Sequence, residues 1–234
     1  TDDSYTISIP EDVDVGTELF VLNATDNDAT APFNEFLFTL DTSTVNAGRF
    51  VVNVTTGAVT LAKKVNYEKV VQYSMTATVT DQGDDENTRK SENQVLVINI
   101  ADVNDNKPKF DLSRSATVSF VENNDVNETM FRAEATDGDR SDEFSTINYT
   151  ISWESHPGSA GINTSSADVY ATEEFDRESA DEYVLEVEAS DGEHSVFRNF
   201  TIQIGDVNDN APIFDPVYAT VNLVETTGLN SVIT

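Results

Sequence analysis

Apolar and polar residues alternate along 71–81. Tyr73, Met75, Ala77 and Val79 fall on one side of an extended chain, and Ser74, Thr76, Thr78 and Thr80 fall on the other. A period of two predicts a half-buried β-strand. Six more short runs separated by turn-forming residues predict strands at 5–9, 17–25, 35–40, 49–54, 58–61 and 93–102. The pattern returns about 110 residues later: Tyr183, Leu185, Val187 and Ala189 form one inward row, and Phe200, Ile202 and Ile204 match Leu96, Ile98 and Ile100. No window has the 3.6-residue period of an amphipathic helix. The only tryptophan, Trp153, lies in a strand-like run and reads as a core or half-exposed strand residue.

Motifs repeat in the same phase. DVNDN at 102–106 returns at 206–210; ATDND at 24–28 pairs with ATDGD at 135–139; VTDQG at 79–83 pairs with ASDGE at 189–193. SIPED at 8–12 pairs with SFVEN at 119–123 and again with NLVET at 222–226. Such self-similarity predicts tandem units: 1–106, 107–210, and the start of a third at 211–234. Seven strands in about 105 residues fit a Greek-key β-sandwich of immunoglobulin-like size. The expected fold is therefore all-β, with two such sandwiches in tandem.

Composition changes the picture through charge. The 234 residues carry 13 basic and 43 acidic side chains, a formal net charge of −30. This excludes nucleic-acid binding, which needs clustered Lys and Arg, and adsorption to anionic lipid. There is no cysteine, so no disulfide framework is available. Asn23, Asn53, Asn127, Asn148, Asn163 and Asn199 each begin an N-x-S/T acceptor sequence. Asn23, Asn53, Asn148 and Asn199 adjoin apolar residues, so each falls on the outward phase if those neighbours face the core. Glycosylation at these sites points outside the cell. No signal peptide and no apolar run of membrane-spanning length is present, so an extracellular chain of this kind would be a piece of a longer ectodomain.

The repeated acids lie at strand ends. Asp26, Asp28 and Asp81 follow the second and sixth strands, which run the same way, and would share one pole. Glu11, Glu68 and DVNDN would gather at the other. Two units stacked end to end would bring oxygen ligands from both units and their linker to one junction.

These motifs resemble the calcium motifs of cadherin repeats, of the multi-repeat type. DxNDN, DxD, the Asp after the sixth strand, the D-R-E before it and the Glu after the first strand all stand in register. Unit two has every one of them: Glu122, Asp137 and Asp139, Asp176-Arg177-Glu178, Asp191, and Asp206 to Asn210. Unit one departs once, with Asn66 in place of the Asp of D-R-E.

The resemblance implies three Ca2+ ions at the junction of units one and two. Glu11 and Glu68 would serve the two ions nearer unit one, with Asn66 beside them. Asp105 would bridge that pair, and the Val103 carbonyl would join the second ion. Asp139 would bridge the second and third. The Asn104 side chain, the Asn106 carbonyl, Asp137, Asp191 and a carbonyl near Phe144 or Ser145 would complete the third. Six carboxylates would then face six positive charges. Without cations, two such carboxylates 5 Å apart at an effective dielectric of 20 repel by roughly 3 kcal/mol, so calcium would turn a splayed joint into a stiff one. Affinities of extracellular modules of this kind are on the order of 10⁻⁴ to 10⁻³ M. Asn66 brings no charge, so the outermost ion is expected to bind weakest. Asp26, Asp28 and Asp81 would serve a junction with a preceding repeat. Glu122, Asp176, Glu178, Val207, Asn208, Asp209 and Asn210 would serve one with the third unit. Both of those junctions should be incomplete.

The function implied is calcium-dependent cell–cell adhesion or recognition by the ectodomain of a single-pass plasma-membrane protein. Its partners would be other cadherin ectodomains, homophilic or heterophilic, with no nucleic acid or small-molecule substrate, and with membrane contact only through a segment elsewhere. A rigid spacer whose partner-binding surface lies elsewhere is the alternative. A two-carboxylate hydrolase fits less well, because the acids recur once per repeat at strand ends. His156 and His194 have no in-register counterpart and read as surface residues. No exchangeable N-terminal tryptophan is present.

Overall fold

The computed structural model describes residues 5–41, 48–83 and 88–214. The predicted third unit lies, from 215 onward, outside the described residues.

In the first unit seven strands form two sheets: β1 (Tyr5–Pro10), β2 (Glu18–Val21), β3 (Phe36–Leu40), β4 (Phe50–Val52), β5 (Ala58–Leu61), β6 (Gln72–Asp81) and β7 (Ser91–Ala101). The four-stranded sheet runs β1-β7-β6-β3 and the three-stranded sheet runs β2-β5-β4. β1 lies parallel to β7, and the other pairs are antiparallel. The inward rows of the two sheets meet in a core of Phe50, Val59, Leu61, Tyr73, Met75, Leu96 and Ile98, among others.

The second unit repeats this order with β8 (Lys109–Phe110), β9 (Thr117–Val121), β10 (Thr129–Arg132), β11 (Ala135–Thr136), β12 (Asn148–Glu154), β13 (Ala160–Ile162), β14 (Asp168–Ala171), β15 (Glu182–Ser190) and β16 (Ser195–Gly205). Its sheets run β12-β15-β16-β9 and β10-β14-β13, and β11 pairs with β8. Phe175, Tyr183, Leu185, Val187, Phe200 and Ile202 fill its own core. Two separate cores make each unit a sandwich in its own right.

Some expectations differ in detail. The strand expected over 17–25 covers only 18–21, and its register slips between Glu18 and Phe20. One helical turn, α1 (Asp142–Ser145), interrupts the second unit; it buries no residue, so it leaves no apolar period to read. Trp153 is 54% exposed on β12. Val54 is 48% exposed, so Asn53 is not on the outward phase of a strand. It lies in a turn, its Oδ1 accepting the N–H groups of Thr55 and Thr56 at 3.0 Å each. All six sequon asparagines are exposed.

Candidate metal centre

Strand direction decides which acids meet. β1 and β7 run parallel and end together, so Glu11 and Asp102 leave them side by side. The turn 66–70 that precedes β6 lies at the same pole. Glu11 is buried at 3% exposure. Its Oε2 accepts the Tyr67 N–H at 2.6 Å and its Oε1 the Val103 N–H at 3.2 Å. Burial is the main influence on this carboxyl and, with the charges of Glu68 and Asp105, raises it above its ordinary value.

Asn66 Nδ2 donates to Glu68 Oε2 at 2.7 Å, which leaves Asn66 Oδ1 and Glu68 Oε1 buried with no partner. Carboxylate oxygens of Glu11, Glu68 and Asp102 lie within 4.8 Å of one another. So do those of Glu68, Asp105 and Asp139, which come from both units and the linker.

The facing pole of the second unit carries Asp137, Asp139 and Asp191. Asp139 is 5% exposed. Its Oδ1 accepts Asn106 Nδ2 at 2.7 Å and the Asn106 N–H at 3.3 Å. Burial, with the charges of Asp137 and Asp102, raises its carboxyl. Asp137 Oδ1 accepts the Asp139 N–H at 2.9 Å, while its Oδ2 is buried without a partner. Burial also works against the charge on Asp191. There the N–H groups of His194 and Glu193 and the side chains of Asn104 and His194 outweigh it, holding the group below its ordinary range. The two units also touch directly: Asp102 Oδ2 accepts the Ser141 N–H at 2.8 Å, and Arg140 reaches the Glu68 carbonyl at 3.5 Å.

Two observations fit a cation here. First, the buried side-chain polar atoms without partners among the described residues are Asn66 Oδ1, Glu68 Oε1, Asp102 Oδ1, Asp137 Oδ2 and Ser141 Oγ. All five lie at this junction, four of them amide or carboxylate oxygens, and a buried oxygen without a partner costs about 1–3 kcal/mol. Second, one atom of the Asn104 amide lies 3.1 Å from the Asn106 carbonyl oxygen and 3.3 Å from Asp191 Oδ2. With nitrogen at that position the amide donates to both and needs no cation; with oxygen there, three oxygens converge, an arrangement a hard cation satisfies.

Sequence reasoning missed two residues. Asp102 opens the repeated pentapeptide, and its acid in both copies, Asp102 and Asp206, was the available signal. His194 is not merely a surface residue: its Nδ1 lies 3.1 Å from the Asn104 amide and 3.3 Å from Asp191 Oδ2. Its lack of an in-register counterpart concealed this. His156 is exposed and packs at a tilt against Tyr183, with ring centroids 4.5 Å apart.

The outer poles repeat the same geometry. Glu122 accepts the N–H groups of Arg177 at 2.7 Å and Val207 at 2.6 Å, as Glu11 accepts those of Tyr67 and Val103. Oxygens of Glu122, Glu178 and Asp206 lie within 4.8 Å of one another. Asp176 instead turns inward on its own loop, accepting the Glu178 N–H and Ser179 Oγ. Asp209 accepts Asn123 Nδ2 at 2.8 Å and Asn210 Nδ2 at 2.7 Å, while Asn208 is exposed. At the opposite end Asp26 accepts the Asp28 N–H, as Asp137 does that of Asp139, and Asp26 and Asp81 line one hollow.

The chain is similar to known proteins. The model of the cadherin domain matches residues 5–101 and 116–205. Human Protocadherin Fat 4 is 32% identical over 218 residues, covering 89% of this chain and 4% of that protein. Neural-cadherin of Drosophila melanogaster is 30% identical over 213 residues, covering 88% of this chain and 7% of that protein. The chain thus spans a small fraction of these relatives. In three dimensions it is similar to mouse Cadherin-23 EC22-24, with a TM-score of 0.77, 26% identity and coverage of 88% of this chain and 65% of that one. It also matches human Protocadherin-24 EC1-2 in fold, with a TM-score of 0.69, 22% identity and coverage of 86% and 94%.

Proposed function

This chain belongs to the cadherin family, and from that premise we propose that it is a calcium-stiffened segment of an adhesive ectodomain. One observation carries the reading: acids and amides of two repeats and their linker converge with four buried amide and carboxylate oxygens that have no partner. Calcium ions supply the positive charge and oxygen coordination that such a cluster lacks.

In this reading Glu11, Asn66, Glu68, Asp102, Asp105 and the Val103 carbonyl hold the side nearer the first repeat. Asp139 bridges, and Asn104, the Asn106 carbonyl, Asp137 and Asp191 hold the side nearer the second. Three ions fit this set. Glu11, Glu68, Asp102, Asp105, Asp137, Asp139 and Asp191 bring seven carboxylates, so three divalent ions leave a residue of one negative charge, with Arg140 beside it. The N–H donors to Glu11, Asp137 and Asp191 set the carboxylates in place beforehand. The repeats run 1–106 and 107–210, with a third beginning at 211. The exposed sequons support an extracellular location with glycans, and other cadherin ectodomains are the partners.

The test is thermal unfolding of the chain with calcium and with chelator, paired with small-angle X-ray scattering. Calcium should raise the melting temperature and narrow the distribution of end-to-end distances. Identical melting temperatures in the two conditions overturn the proposal.

A further inference from the structure

The outer faces of the two four-stranded sheets differ in a way that the shared fold does not require. In the first repeat the outward row of β6 is Gln72, Ser74, Thr76, Thr78 and Thr80, and that of β7 is Ser91, Asn93, Val95, Val97 and Asn99. The outward residues of the flanking strands, Thr6, Ser8 and Pro10 on β1 and Leu37 and Thr39 on β3, are likewise uncharged. In a chain of net charge −30, the outward rows of these four strands therefore carry no charge. The nearest acids in phase, Glu35 and Asp41, continue β3 at its two ends and border this face: the Asp41 N–H donates to the Thr76 carbonyl at 2.8 Å and the Gln82 N–H to the Glu35 carbonyl at 3.1 Å.

The equivalent face of the second repeat carries Glu182, Glu186 and Glu188 on β15. It also carries two sequons, Asn148 on β12 and Asn199 on β16. Those of the first repeat, Asn23 and Asn53, follow β2 and β4 of the opposite sheet. Only the first repeat's face is both uncharged and free of glycan acceptors.

We propose that this face is a self-association surface on which a second copy of the chain docks about a twofold axis. The occupant follows from charge and from chemistry. Two copies that each carry thirty negative charges repel wherever acids face acids; here the strands of the contact carry none, and Glu35 and Asp41 stand only along its β3 edge. Thr, Ser, Asn and Gln both donate and accept, so the surface complements itself, as a twofold contact demands. Cross-strand bonds already order these side chains: Gln72 Nε2 donates to Asn99 at 2.8 Å, Thr78 Oγ1 to Asn93 at 2.7 Å, and Thr80 and Ser91 lie 2.9 Å apart. Val95, 47% exposed, sits among them. Four strands about 4.8 Å apart and about 25 Å long present roughly 500 Å2 per copy. Two copies bury about 1,000 Å2, the size of a weak, transient interface. This inference rests on the adhesive reading.

The test is sedimentation velocity of the secreted chain in calcium, from about 1 µM to about 1 mM, a range that brackets weak interfaces. Thr78→Asn completes an N-x-T acceptor with Thr80 and plants a glycan on the face. The unaltered chain should dimerise, and the glycosylated variant should weaken the dimer at least about tenfold. The same variant made without glycans should dimerise again. A chain that stays monomeric throughout, or a dimer indifferent to the glycan, overturns the proposal. Melting with calcium and with chelator on the same samples tests the calcium reading independently, since a monomer still stabilised by calcium refutes only self-pairing.

Discussion

Asp102 Oδ2 accepts the Ser141 N–H at 2.8 Å, across 39 positions and from one repeat to the next. Its Oδ1 is buried without a partner, and its carboxylate belongs to the group formed with Glu11 and Glu68. One side chain thus ties the second repeat to the acidic pole of the first and still has an oxygen to offer.

Asp102→Asn separates these two roles. The amide oxygen still accepts from Ser141, but one negative charge leaves the cluster. Without calcium the variant should melt higher than the parent, because repulsion with Glu11 and Glu68 is relieved. With calcium its affinity should fall about tenfold, or about 1.4 kcal/mol. Unchanged affinity in a calorimetric titration would remove Asp102 from the ligand set.

Asn66→Asp moves charge the other way. Asn66 Nδ2 now holds Glu68 Oε2 at 2.7 Å, and Asp loses that donor while adding a charge beside Glu11 and Glu68. The calcium-free protein should lose stability, and one site should bind about tenfold tighter. Titration curves that superimpose on those of the parent would show that the departure at 66 has no effect on binding.

Most of this fold is legible in the sequence because a period of two and a repeat of motifs report burial directly. β6 and β15 show it: Tyr73 and Tyr183, Met75 and Leu185, Ala77 and Val187 are all buried where the alternation places them. The poles were legible too, since strand parity puts Glu11 and the DVNDN stretch together. What escaped depends on tertiary approach. His194 reaches Asn104 across 90 positions, and no local pattern encodes that distance. The slip between Glu18 and Phe20 arises from pairing with β5, not from the composition of β2.

Acid should affect the two states of the junction oppositely. Glu11 and Asp139 are raised above ordinary values of 4.5 and 3.8, burial being the largest cause for each. Between its ordinary and its raised value, each binds more protons folded than unfolded. The calcium-free protein therefore gains stability from them as pH falls through that interval. Asp191 is held below 3.8, so its contribution is present above 3.8 and is lost only as pH falls further, through its folded value. Calcium needs the ionised carboxylates, so its stabilisation shrinks as Glu11 and Asp139 take up protons. Chemical denaturation between about pH 7 and about pH 4 should show the calcium and chelator curves converging. A gap that stays constant would mean that these two acids do not bind the ion.

Gly138 stands between Asp137 and Asp139, and a Cβ there would lie 2.8 Å from Asn106 Oδ1 and 2.9 Å from its Cγ. The Asn106 side chain cannot simply swing aside, because its Nδ2 donates to Asp139 at 2.7 Å and to Asp105 at 2.8 Å. Gly138→Ala therefore forces the linker and the second repeat apart at the residue that joins them. The change adds only a methyl group and touches no carboxylate, so a loss of calcium affinity would come from displacement alone. The expected loss is about tenfold, or about 1.4 kcal/mol, with the cores of both repeats unaffected. Melting in chelator should stay near that of the parent, while the gain on adding calcium should fall. Equal gains for variant and parent would show that the linker tolerates the displacement and that Asn106 is not held against Asp139 when ions bind.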